Sequence, residues 1–81
     1  MQLKDFQVLA SDLKATDKVY DMDFKIPTAV IVGSESRGVN PHLLEKVDER
    51  FIIPQAGESD SFNVSVATGI ILYEAMRQRG F

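Results

Sequence analysis

Three short apolar runs, at residues 6–10, 29–32 and 51–53, constrain this chain more than any other feature. Each stops at a breaker: Ser11-Asp12 after the first, Gly33 after the second and Pro54 after the third. The second and third are unbroken and rich in β-branched residues, the pattern of strands buried on both faces of a parallel sheet. The gaps between the runs are too long for hairpins and long enough for crossover connections. A parallel α/β arrangement follows.

The connecting segments carry helix signals. Asn40-Pro41 pairs an N-cap residue with proline at the first helical position. Leu43, Leu44 and Val47 then share one face, which predicts a short helix over about 41–48. Asp12 is expected to cap a turn of helix over 13–19. Acids alternate with apolar anchors along 20–27 before Pro27, so an irregular surface connection is expected there. From Asn63 to Arg79 there is no proline, and Gly80 stands where a C-terminal cap glycine belongs. Arg77 and Arg79 fall in the last turn, where bases complement the helix dipole. The first half of this helix is apolar or small on every side, which predicts burial all round. Ser65, Thr68 and Gly69 would allow close backbone approach. The order is β-α-β-α-β-α with right-handed crossovers. A three-stranded parallel sheet has two raw edges and two faces to cover. The chain is therefore expected to self-associate or to belong with further strands.

Composition narrows the chemistry. The 81 residues include no cysteine and one histidine, so thiolate metal sites and disulfides are excluded. A histidine-built metal site or triad is disfavoured, and His42 reads as a helix-surface residue. No apolar run approaches the length of about 20 that spans a bilayer. The N-terminus lacks a signal-peptide layout, and a cytoplasmic location is the default expectation. A net charge of −3 opposes broad polyanion binding. Contacts to a nucleic acid would use local bases such as Arg37, Arg77 and Arg79, or a partner chain.

Ligands of open α/β sheets sit at the carboxyl ends of the strands. Two loops leaving those ends, at residues 33–38 and 54–63, are rich in glycine, serine and short polar residues. Such loops can lay backbone groups against a ligand. Glycines at 33 and 38 lack the following Lys-Ser/Thr of a P-loop and the middle glycine of a dinucleotide fingerprint. By residue type alone, Glu35 and Arg37 read equally as a solvated turn or as site residues. Ser61 and Asn63 read as the cap of the long helix or as site residues.

Taken together the loops resemble a known signature. The segment Ala29-Val30-Ile31-Val32-Gly33-Ser34-Glu35-Ser36-Arg37-Gly38-Val39 is similar to motif 2 of the SpoU/TrmH family of RNA ribose methyltransferases, in the SPOUT superfamily. Ile52-Ile53-Pro54-Gln55-Ala56-Gly57, followed by Ser61-Phe62-Asn63-Val64-Ser65-Val66-Ala67, resembles motif 3. Ile71-Leu72-Tyr73-Glu74 and Arg77-Gln78-Arg79 resemble that family's C-terminal helix. The resemblance implies a trefoil-knotted domain, a bent S-adenosylmethionine (AdoMet) in the knot, an RNA substrate (tRNA or rRNA) and a homodimer. By position, Gly33, Ile53 and Phe62 match places where backbone groups hold the cofactor. Glu35, Ser61 and Asn63 match polar positions of the catalytic centre, and Arg37 is a candidate RNA contact. Phe62 replaces the family's usual leucine. The family's motif 1, with its asparagine and its arginine that assists proton removal, has no counterpart, since no Asn precedes Asn40 and no Arg precedes Arg37.

The expected activity is methyl transfer to a ribose 2′-hydroxyl, with this chain as the C-terminal half of the catalytic domain and inactive alone. Two rivals remain: a non-catalytic cofactor-binding or dimerisation module, and an unrelated nucleotide-binding α/β fragment. Preference for ATP or NAD over AdoMet would mark the last.

Overall fold

The computed structural model describes residues 6–33, 39–54 and 64–81. Three parallel strands, β1 (Gln7–Ser11), β2 (Thr28–Ile31) and β3 (Glu49–Phe51), form one sheet in the order β2-β1-β3. The parallel sheet expected from the apolar runs is present. The register pairs Gln7 with Thr28 through Ala10 with Ile31, and Leu9 with Glu49 through Ser11 with Phe51.

The burial differs from expectation. Val8, Leu9 and Ala10 of β1 are buried, whereas residues 29–32 of the second run are half-buried; in the third run Phe51 is buried and Ile52 and Ile53 are half-buried. The more β-branched runs flank the sheet rather than centre it. A central strand is covered by neighbours on both sides, and that place goes to β1, which pairs with β2 on one side and, after a crossover that passes it, with β3 on the other.

β3 also begins two residues before its apolar run. The Asp48 N–H donates to the Val8 carbonyl (2.8 Å), and its carboxylate accepts the Val8 N–H (2.7 Å). This two-way pairing draws Glu49 and Arg50 into the ladder. At the far end, the Phe51 carbonyl accepts from the Asp12 N–H on the β1 side (2.9 Å). The Ile52 N–H belongs to the same peptide unit and points the opposite way, donating to the Asp17 carbonyl (2.8 Å). The Val19 N–H completes the pairing at the Ile52 carbonyl (2.9 Å). Residues 17–19 therefore lie along the outer edge of β3.

The outer edge of β2 is different. The Pro27 carbonyl accepts from Gln7 on the β1 side (3.1 Å), so the Thr28 N–H points outward, and alternation sends the Val30 N–H the same way. Neither has a partner among the described residues. Hydrogen exchange followed by NMR should find the Thr28 and Val30 amides exchanging faster than that of Ala29, which faces β1. Equal protection would mean that the edge is already covered.

The expected helical turn over 13–19 does not form. The Asp12 carboxylate accepts the Lys14 N–H (3.0 Å) and its carbonyl accepts the Ala15 N–H (3.0 Å), closing a tight turn instead. The helical piece of this crossover is one 3₁₀ turn, Val19–Asp21, where the Asp21 carboxylate accepts the Lys18 N–H (2.9 Å). Beyond it the alternation holds: Met22 and Phe24 are buried, while Asp23 and Lys25 are exposed. The second crossover contains α1 (Pro41–Leu44), shorter than expected. Asn40 caps it, accepting the His42 N–H (2.8 Å), and His42 is exposed as expected.

The long helix α2 spans Val64–Gln78. Gly80 follows with φ 83°, the Phe81 N–H donates to Met76 (3.1 Å) and the Gly80 N–H to Arg77 (3.2 Å). This is a Schellman stop, and its left-handed residue is why glycine stands there. Leu9, Val19, Met22, Phe24, Phe51 and Ile71 form the core cluster, with Val30, Val32, Ile53 and Ala75 packed against it. Within α2 only Ala67 and Ile71 are buried, so all-round burial is not realised in the single chain. Val66, Leu72, Tyr73 and Met76 face outward. Among the described residues, no helix is long and apolar enough to cross a membrane.

Candidate functional site

In a parallel sheet all three strands deliver their chain exits to one edge. Gly33 lies two residues beyond the end of β2, and Ile53 two residues beyond the end of β3. Extending the register sets Gly33 level with Asp12 and Ile53 level with Leu13. The two therefore flank the exit of β1 at nearly equal height, two strand spacings apart, or about 10 Å. Both are half-buried. Among the described residues, no backbone group of either is hydrogen-bonded.

The other expected site residues, Glu35, Arg37, Ser61, Phe62 and Asn63, lie outside the described residues. Asn63 immediately precedes Val64, the first residue of α2. The fold adds a third exit that received no weight in the sequence: Ser11, Asp12, Leu13 and Lys14, leaving β1 between the other two. Leu13 and Lys14 are exposed there, and the Asp12 carboxylate lies 3.5 Å from the Arg50 guanidinium. The signal was present in the Ser11-Asp12 breaker, but the chain order alone does not say that β1 is central.

At the end of α2, Arg77 is the exposed base expected in the last turn, whereas Arg79 lies just past the helix and takes another role. Arg77 is exposed and forms a forked pair with Glu74 (2.9 and 2.8 Å). Arg79 instead turns onto backbone, donating to the carbonyls of Phe24 (2.7 Å) and Ile26 (3.1 Å). Gln78 between them accepts the Phe24 N–H (2.8 Å) and donates to the Met22 carbonyl (2.8 Å) and to Glu74 (2.6 Å). Hydrogen bonds from Arg77 and then Gln78 hold the Glu74 carboxyl below its usual pKa.

The SpoU rRNA Methylase family matches residues 1–73. A tRNA (guanosine(18)-2′-O)-methyltransferase of Aquifex aeolicus is 48% identical over 75 residues, covering 91% of this chain and 36% of its own length. The 23S rRNA (guanosine-2′-O-)-methyltransferase RlmB of Ralstonia nicotianae is 39% identical over 79 residues, covering 98% and 32%. The crystal structure of the A. aeolicus TrmH/SpoU tRNA modifying enzyme superposes with a TM-score of 0.83 at 48% identity, over 91% of this chain and 38% of that one. An AdoMet-bound rRNA methyltransferase from Sinorhizobium meliloti superposes with a TM-score of 0.81 at 37% identity, over 89% and 28%. This chain thus spans about a third of the length of the curated relatives it matches. On sequence and on fold together, the chain belongs to the SpoU rRNA methylase family.

Proposed function

We propose that this chain is the cofactor-binding half of an AdoMet-dependent RNA 2′-O-ribose methyltransferase domain acting on tRNA or rRNA. One observation carries the reading. Gly33 and Ile53, the two described positions matched to cofactor contacts, flank the same sheet edge, and their backbone groups have no partner among the described residues. Backbone N–H and C=O groups about two strand spacings apart suit the adenosyl part of such a cofactor, which needs shape and neutral hydrogen bonds rather than charge.

AdoMet supplies an electrophilic methyl on a sulfonium. The protein's task is orientation of the ribose hydroxyl in line with it, plus removal of the hydroxyl proton. Ser61 and Asn63 orient the hydroxyl and the neighbouring phosphate in this proposal, Glu35 positions a base or substrate group, and Arg37 contacts RNA. The proton acceptor comes from the remainder of the domain. That remainder would also add a strand to the edge of β2, which has no partner among the described residues, since the edge of β3 is already occupied by 17–19. The trefoil knot, with α2 as the threaded helix, belongs to the same proposal. So does a homodimer in which the outward apolar face of α2 is covered by a second chain.

Calorimetric titration of the 81-residue chain with AdoMet tests the reading, with the Gly33 and Ile53 amides followed by NMR. Saturable binding that moves both amides is expected, without methylation of bulk tRNA or rRNA. No binding at millimolar AdoMet would leave a purely structural module. Methylation at the rate of a full-length relative would refute the assignment of the proton acceptor to another segment.

A further inference from the structure

The cofactor reading leaves Gln78 unused, although its amide makes three hydrogen bonds on two separate segments. Its Oε1 accepts the Phe24 N–H (2.8 Å), and its Nε2 donates to the Met22 carbonyl (2.8 Å) and to Glu74 (2.6 Å). Arg79 continues the pattern on the Phe24 and Ile26 carbonyls (2.7 and 3.1 Å). Two side chains at the end of α2 thus engage residues 22, 24 and 26, and both backbone polar groups of Phe24 are satisfied by them.

We propose that Gln78, assisted by Arg79, is a positioning residue for the cofactor site, setting where α2 sits along its axis relative to β2. The inference rests on the cofactor reading above. The reason lies in what the rest of α2 can and cannot fix. Its buried residues, Ala67 and Ile71, are apolar, and hydrophobic contact is non-directional. Such contact holds the helix down but fixes its position along the axis less sharply than a directional bond. Hydrogen bonds from a planar amide and a guanidinium fix it sharply, because their strength falls steeply with misalignment.

Both sides of the clamp lead to the site. On one side, residues 22–26 run directly into β2, whose exit carries Gly33. That connection is also anchored from β1, where the Gln7 amide donates to the Asp23 carbonyl (2.6 Å) and to the Thr28 hydroxyl (2.9 Å). On the other side, α2 transmits the position of Gln78 along a rod of about 20 Å to Val64, next to Asn63. The separation between the Gly33 exit and the start of α2 is therefore set at the opposite end of the molecule.

The test compares the wild-type chain with Gln78→Leu and Gln78→Glu, the latter keeping an acceptor for Phe24 but losing the donor for Met22. Without ligand, the Gly33 and Val64 amide resonances are expected to move in Q78L, far from the substitution. With AdoMet, the Kd is expected to weaken by about tenfold or more in Q78L, with Q78E between it and wild type. A folded Q78L with unmoved Gly33 and Val64 resonances overturns the inference. So does one with an affinity within twofold of wild type, which would leave Gln78 a merely structural clamp. If the wild-type chain fails to bind AdoMet while Gly33 and Val64 still respond to Q78L, the cofactor reading falls and the positioning stands. Should Q78L not fold, Arg79→Lys is read by the same two measurements, since it keeps the charge and loses the fork.

Discussion

Phe24→Ala is expected to destabilise the fold by about 3–5 kcal/mol, the range for removing a fully buried aromatic. Phe24 is only 2% exposed, and its ring meets that of Phe51 edge to face at 6.4 Å. It sits in the connection that α2 clamps and that leads into β2, so its loss empties the core between the sheet and the helix. Domains of this size are stable by only about 5–15 kcal/mol, and an 81-residue chain has little core to spare. Most of the stability of the chain should therefore disappear. Urea denaturation followed by circular dichroism measures it, with Phe51→Ala as the partner variant. The double variant should cost less than the sum of the two, because the rings touch. A loss below about 1 kcal/mol for Phe24→Ala would contradict the core described here.

The second large effect comes from two adjacent residues of α2 with opposite environments. Ile71 is 3% exposed in the core cluster, whereas Leu72 is 58% exposed. Ile71→Asp places an unpaired carboxylate among apolar groups, a cost of several kcal/mol that should leave the chain unfolded. Leu72→Asp should leave the helix folded. It puts a charge on an outer face that offers Val66, Leu72, Tyr73 and Met76, with Tyr73 72% exposed. The one carboxylate within α2, Glu74, is already engaged by Arg77 and Gln78. If a second chain covers this face, sedimentation equilibrium should show wild type as a dimer and L72D as a monomer with unchanged helicity. Equal masses for the two would remove this face from the dimer proposal. A normally folded I71D would contradict the orientation of the helix.

The contrast between 71 and 72 marks the limit of reading α2 from sequence. Its extent, its glycine stop and its apolar character were all legible, because each is a local property of composition and backbone. Which of its apolar residues face inward was not. A helix apolar on every side carries no periodic signal for the buried stripe; tertiary packing alone buries Ala67 and Ile71, the latter in the cluster with Leu9, Met22 and Phe24. The same holds for Arg77 and Arg79. Both fit the dipole rule equally, yet one pairs with Glu74 on the surface and the other reaches backbone over fifty positions away.

The strands divide in the same way. Three parallel strands with crossovers were legible from run length, breakers and spacing. The order β2-β1-β3 was not, and it makes β1, rather than the more β-branched β2, the most buried strand. It also brings the exit of β1 between Gly33 and Ile53. The early start of β3 rests on Asp48 pairing both ways with Val8, a contact between residues 40 apart that no local pattern encodes.

By itself, then, the sequence determined the α/β class, the loops that carry the family's motifs and the stop of the last helix. These depend on residue type and on neighbours a few positions away. Only the tertiary structure decided which strand is central, which edge residues 17–19 occupy and which side chains lock the helix to the segment leading into the sheet. Those depend on pairing and packing between residues far apart in the chain, which no local pattern encodes.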